Sequence, residues 1–190
     1  LKEKNNLSID PIQAAFIDLW PDANTVNILD DSLSKDLNSG DFERDLIEHR
    51  IITLGQYGEQ IGADGILYSC SAFGREIEAA KKHVQIPVLK PNEAMFEKAI
   101  EIGGKIGLIA TFKPSIPSME KEFFSLMETM QKKIQLDSIF VDGAMTALAR
   151  GDLETHNRLI QDASTVFAGY RAVMLAQFSA SQASNAVEDQ

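Results

Sequence analysis

One cysteine stands in the 190-residue chain, in surroundings where a thiol can do chemistry. Cys70 lies in Ile66-Leu67-Tyr68-Ser69-Cys70-Ser71-Ala72-Phe73-Gly74, an apolar strand-like run that passes into small residues and then into a helical pattern near Arg75 to Lys82. Open parallel sheets place their sites at the carboxyl ends of strands. A helix start beyond such an end offers free N–H groups and the positive end of a dipole, so Cys70 is expected to be more acidic than a free thiol, whose pKa is about 8.5. A lone cysteine is also a common small hydrophobe of cores, and position alone leaves both roles open.

Sliding the sequence on itself brings out a second group. A shift of 107 positions, the separation of Cys70 and Gln177, superposes Ser8-Ile9 on Ser115-Ile116, Phe16 on Phe123, Leu29-Asp30 on Leu136-Asp137, His49 on His156 and Gly62 on Gly169. Such a register points to a duplicated α/β lobe. If the lobes face each other, Gln177 approaches one cleft from the side opposite Cys70. An amide donates and accepts hydrogen bonds but cannot exchange a proton as an acid or base, and Gln177 also reads as a plain polar residue at a strand end. A third element runs from Gly107 to Ser115, where Thr111 and Ser115 offer hydroxyls beside a helix start that could hold a carboxylate. Ser115 equally fits an N-cap. His49, His83 and His156 sit in charged helical contexts and read as solvated. The Asp30-Asp31 pair could hold a cation, although no further ligand lies near it in the sequence.

The elements that must position these residues alternate along the chain. Strands are expected at Thr25 to Leu29, Gly65 to Ser69, Ile86 to Leu89, Lys105 to Ala110, Ser138 to Val141 and Ala172 to Ala176. Between them, Ile12, Phe16, Leu19 and Trp20 recur at helical spacing, as do Phe42, Leu46 and Ile47, and Met95, Phe96, Ala99 and Ile100. This alternation is the mark of βα units around parallel sheets. The 107-residue shift carries Lys105 to Ala110 to positions at or before residue 3, where no apolar strand is written. A first strand of the amino-terminal lobe is therefore expected to be missing, and by the same logic one after Gln190.

Composition narrows the function. Apolar residues make up 44%, enough for a real core, while 18 Lys and Arg against 28 Asp and Glu give a net charge of -10. No nucleic-acid or anionic-membrane partner is expected against that field. One cysteine excludes an internal disulfide framework, and three scattered histidines propose no metal site. A cytoplasmic protein is expected, since the opening Leu-Lys-Glu-Lys-Asn-Asn is too polar for a signal peptide and no apolar run approaches the roughly 18 residues of a membrane span.

Taken in order, Ser69 to Gly74, then Ile86-Pro87-Val88-Leu89-Lys90-Pro91-Asn92-Glu93-Ala94-Met95, then Gly107 to Ser118, then Leu175-Ala176-Gln177-Phe178-Ser179, resemble the aspartate/glutamate/hydantoin racemase superfamily over nearly the whole chain. The resemblance implies an α/β fold of two pseudo-symmetric lobes, residues 1–97 with Cys70 and residues 98–190 with Thr111 and Gln177. Each lobe would be a parallel four-stranded sheet flanked by helices, with a cofactor-independent active-site cleft between them. Family members commonly use two cysteines, one per lobe, to take an α-proton from one face of a carboxylate substrate and return one to the other. Cys70 matches the first; the place of the second reads Gln177.

The expected function is thus a racemase- or isomerase-like enzyme acting beside the carboxylate of a small amino or organic acid, with Cys70 and Gln177 at the reacting centre. Ser69, Ser71, Ala72, Thr111, Ser115, Phe178 and Ser179 would line the substrate. The substitution by Gln177 argues against two-base racemisation. A single-cysteine decarboxylase and a non-catalytic carboxylate-binding protein are the alternatives, with a homo-oligomer left open.

Overall fold

The computed structural model describes residues 9–188. In chain order the elements are α1 (Ile9–Leu19), α2 (Leu33–Ser39), α3 (Arg44–Gln60), β1 (Ile66–Leu67), α4 (Gly74–Ala80), β2 (Val88–Leu89), α5 (Glu93–Ile102), β3 (Lys105–Ala110), α6 (Ile116–Thr129), β4 (Gln135–Phe140), α7 (Ala144–Ala149), α8 (Leu153–Ser164), β5 (Ala172–Leu175) and α9 (Ser184–Glu188). They form two α/β lobes. One holds the parallel pair β1-β2, the other a parallel sheet in the order β4-β3-β5.

Strand β3 shows how the second lobe is built. Alternate side chains of a strand point to opposite faces, and here both faces are apolar. Ile106, Leu108 and Ala110 join Phe96 and Ile100 of α5, Met119 and Phe123 of α6, and Met174 in one core. Ile109 points the other way, into a second core with Val141, Ala144, Ile160 and Phe167. Gly107 lies on that second face because Phe167 needs the space: a β-carbon there would sit 2.5 Å from the ring. The register pairs Ile106 with Leu136 of β4 and with Ala172 of β5, bringing the ends of β3 and β5 side by side.

The first lobe is smaller. Ile47 and Ile51 of α3, Ile77 and Ala80 of α4, and Leu33, Phe73, Val84 and Val88 form its core. Tyr68, just past β1, reaches into α3 and donates its hydroxyl to the Ile51 carbonyl at 2.7 Å. Only glycine at position 55 admits this, since a β-carbon would lie 2.7 Å from the Tyr68 oxygen. Burial pushes the Tyr68 phenol up to about 12, the bonding at the Gly55 turn of the helix opposing this only in part.

Among the described residues, two sheets of two and three strands replace the expected pair of four-stranded sheets. The correction centres on Thr25 to Leu29, which is irregular chain with Val26, Ile28 and Leu29 exposed. In the second lobe β3 lies between its two neighbours. Its counterpart in the first lobe would fall at or before residue 3, outside the described residues; among the described residues Thr25 to Leu29 pairs with no strand. In the first lobe β1 covers two residues of the expected Gly65 to Ser69. The expected strand after Gln190 likewise lies outside the described residues. The 97/98 boundary falls inside α5, whose Phe96, Ala99 and Ile100 all belong to the second lobe's core.

The close approach at Gly107 makes a direct test. Gly107→Ala should lower stability by about 1–3 kcal/mol through overpacking, read as a shift of the urea midpoint. Phe167→Leu in the same chain should return part of that loss. Additive losses in the double variant would mean that the ring is not what the glycine accommodates.

Candidate functional site

Cys70 lies three residues beyond β1, just before a single 3-10 turn, Ser71–Phe73, that leads into α4. Its backbone is extended while the turn after it is helical, which aims the Ala72 N–H at the sulfur. On the other side, the exposed Ser34 of α2 places its hydroxyl 3.8 Å from the sulfur. The thiol is half-buried. Burial pushes it up, and the Ala72 N–H and the Ser34 hydroxyl oppose that only partly, so the resting group is a neutral thiol. The acidic thiol expected from a helix start is corrected here. The helix start supplies one N–H, while desolvation acts on the whole charged form.

Across the molecule, the carboxyl ends of β3 and β5 bring Thr111, Ser115 and Gln177 together. Gln177 Oε1 accepts from the Thr111 N–H at 2.8 Å and from the Thr111 hydroxyl at 3.1 Å. Its Nε2 donates to Ser115 Oγ at 3.1 Å, and that hydroxyl donates to the Phe112 carbonyl at 2.7 Å. A backbone N–H must meet an acceptor, which fixes the amide's orientation. The only hydroxyl protons of Thr111 and Ser115 are thereby spent, and one amide hydrogen of Gln177 remains without an assigned acceptor among the described residues. Thr111 and Ser115 are buried and Gln177 half-buried.

The remaining candidates divide by exposure. Ser71, Ala72 and Ser179 are buried, Phe178 is half-buried and Ser69 is exposed. The turn Ser71–Phe73 packs against the turn Lys113–Ser115 and against α6, so the segment after Cys70 meets the segment after Thr111. No hydrogen bond or ion pair among the described residues joins Cys70 to Gln177. Two surface concavities, beside Phe16 and Trp20 and beside Phe167 and Tyr170, include neither residue. Among the described residues no three His, Cys, Asp or Glu side chains converge as metal ligands. No described helix is long and apolar enough to cross a membrane.

An ion-pair group braces the Cys70 turn. Lys90, just past β2, bonds Glu78 of α4 at 2.8 Å and lies 3.4 Å from Glu122 of α6. Gly74 lets α6 close on the start of α4, because a β-carbon there would be 2.9 Å from Glu122 Oε2 and 3.1 Å from Ser118 Oγ. Burial pushes the Glu122 carboxyl up in spite of Lys90. The more open Glu78 is held below its ordinary value, its bond to Lys90 overcoming the effect of burial.

Sequence reading missed Ser34, Arg50, Lys90 and Glu122. Lys90 stood inside the quoted Ile86 to Met95 stretch, but nothing in that stretch names its partner on α6. The Asp30-Asp31 pair does meet cations, both from this chain: Arg50 for Asp30 and Lys35 for Asp31. His49 and His83 are exposed as expected, whereas His156 is fully buried on the face of α8 that also buries Ile160 and Ser164.

Against this geometry, comparison with known proteins is informative. The Asp/Glu/Hydantoin racemase family matches residues 10–187, so the chain belongs to that family. Its fold resembles the crystal structure of glutamate racemase from Francisella tularensis subsp. tularensis SCHU S4 in complex with D-glutamate, with a TM-score of 0.69 at 12% identity over 98% of this chain and 69% of that one. Glutamate racemase from Campylobacter jejuni subsp. jejuni aligns with a TM-score of 0.52 at 16% identity, covering 80% of this chain and 70% of that one. No curated protein sequence matches.

Two measurements check the site. Alkylation of the folded protein across pH should show a Cys70 midpoint above the roughly 8.5 of free cysteine. Lys90→Met should cost about 3 kcal/mol at pH 7, because it leaves the Glu122 carboxylate buried without a counter-charge. Glu122, with its folded pKa raised, gains stability as pH falls through that value, whereas the Glu78 contribution, with its folded pKa lowered, is lost on acidification. The gap between wild type and Lys90→Met in urea should therefore close from pH 7 towards pH 4, and Glu122→Gln should recover part of the loss.

Proposed function

We propose that the protein is a racemase- or isomerase-like enzyme that moves a proton at the carbon next to the carboxylate of a small amino or organic acid, with Cys70 as its one proton-exchanging group. The observation that carries this is the placing of the chain's single cysteine beyond β1, with the Ala72 N–H and the Ser34 hydroxyl on its sulfur, in a chain of the racemase family. The D-glutamate of the Francisella complex is a substrate-class precedent in a protein of like fold. The step runs in the fraction of molecules whose Cys70 S–H has given its proton to water: that thiolate takes the α-proton, the C–H electron pair moves into the carboxylate as an enolate, and the S–H formed returns a proton to the same carbon. In this reading the N–H groups of Ser71 and Ala72 are the donors that meet that developing charge.

Gln177 has a different part in this reading. Its amide is oriented by Thr111 and Ser115, and its remaining hydrogen serves as a donor to the substrate carboxylate. Thr111 and Ser115 then act through Gln177, while Ser69, Phe178 and Ser179 shape the surroundings. With no proton-exchanging side chain at Gln177, return of a proton to the opposite face is slow.

A second reading, decarboxylation, is favoured by the raised thiol. The bond from the α-carbon to a carboxylate breaks, carbon dioxide leaves and the electron pair stays on carbon. The Cys70 proton adds there, and water reprotonates the sulfur. A neutral resting thiol is the form that step needs.

Incubation with a panel of mono- and dicarboxylates in heavy water, followed by NMR and carbon dioxide assay, tests both. Exchange of the α-proton that disappears in Cys70→Ala is the expected result. Gas release with that same dependence selects the decarboxylase. A carboxylate that raises the melting temperature, with neither exchange nor gas, overturns the catalytic reading in favour of a binding protein.

A further inference from the structure

Helix α2 has little to hold it in place. It is seven residues long, too short to be stable alone, and Leu33 is its only buried residue. Leu37, one turn on, is partly buried against the same core. Its N-cap, Ser32, makes no side-chain capping bond within the helix. Yet α2 carries Ser34, the only side chain that hydrogen-bonds the Cys70 sulfur among the described residues.

What fixes the helix is a guanidinium from α3. Arg50 Nε donates to Asp30 Oδ2 at 3.1 Å and Nη1 to Asp36 Oδ2 at 2.6 Å, while Nη2 reaches both Asp30 and the Ser32 hydroxyl. Asp30 in turn accepts the Ser32 N–H at 3.1 Å and its hydroxyl at 2.8 Å. One planar cation therefore grips the approach to α2, its N-cap and its middle. Lysine has no such fork. The side chains of Arg50, Asp30 and Asp36 are 30%, 25% and 17% exposed, so solvent screens this grip less than a surface pair.

We propose that Arg50 is a positioning residue of the Cys70 site, holding α2 so that the Ser34 hydroxyl rests on the sulfur. A hydroxyl suits that place because it can turn: it accepts from the S–H of the thiol and donates to the thiolate. The proton-exchanging atom is then partnered in both of its states. The other group acting on the sulfur is the Ala72 N–H, and no charged side chain is among them. This deepens the reading of Cys70 as the proton-exchanging group and rests on it for its catalytic consequence.

The test is alkylation of Cys70 by iodoacetamide across pH, without substrate, in the full chain. Ser34→Ala should raise the midpoint by about half to one pH unit, slowing alkylation roughly 3- to 10-fold at neutral pH. Arg50→Met, Arg50→Lys and Asp36→Asn should raise it in the same direction, and Arg50→Met combined with Ser34→Ala should do no more than Ser34→Ala alone. Asp36→Asn keeps Arg50 and its bond to Asp30, so it reads the same grip if Arg50→Met fails to fold. A midpoint unmoved by Ser34→Ala, or moved by Ser34→Ala and unmoved by both Arg50→Lys and Asp36→Asn, overturns the proposal, as does strict additivity in the double variant. Because no substrate is used, a chain that passes this test and exchanges no α-proton refutes the catalytic reading alone.

Discussion

From Ile106 to Ala110 every residue of β3 is shielded from water, so the strand's backbone can be satisfied only by β4 and β5 beside it. At Thr111 that protection must be handed over, and the amide of Gln177 takes it up by accepting the Thr111 N–H. Much of the second lobe follows from this. Apolar layers on both faces leave polar groups only the carboxyl edge, the edge where β5 delivers Gln177 and the next turn delivers Ser115. The candidate site and a strand terminus are therefore made from the same atoms.

The two lobes solve the same problem unequally. In the second, a central strand lies between two neighbours, and the chain beyond it is held by an amide. In the first, β1 has β2 as its one neighbour among the described residues, and the turn after Cys70 is held by packing on α6, by Lys90 and by the α2 helix that Arg50 grips. Around Cys70 ionic groups share in the positioning, whereas around Gln177 neutral hydrogen bonds do.

How far the sequence revealed this depends on range. The apolar run of β3 and the period-3.6 pattern of α5 were legible because burial on a fixed face is written locally, whereas α1 shows the same helical spacing with none of its residues buried. The motif around Cys70 and the 107-residue offset that marks Gln177 were read from residue identity and order. Thr25 to Leu29 carries a strand's residue types, yet a strand exists only beside a partner, and residue types do not record whether one is there. Ser34 and Arg50 lie 36 and 20 residues from the atoms they touch, and nothing in their local pattern sets them apart from solvated side chains. The thiol's state failed differently: N–H donors can be guessed from a helix start, whereas desolvation depends on everything packed around the sulfur.

Tyr68 sets an alkaline ceiling on this arrangement. Its phenol stays neutral up to about 12 only while it is threaded into α3 at Gly55, two residues before Cys70 in the chain. Unfolded, it ionises near pH 10, so between those values base draws the chain towards the state in which the hydroxyl is free. Raising the pH to populate the Cys70 thiolate therefore weakens the anchor of the segment that carries it. The range in which the sulfur is both ionised and held is bounded from above by a tyrosine that takes no part in the chemistry.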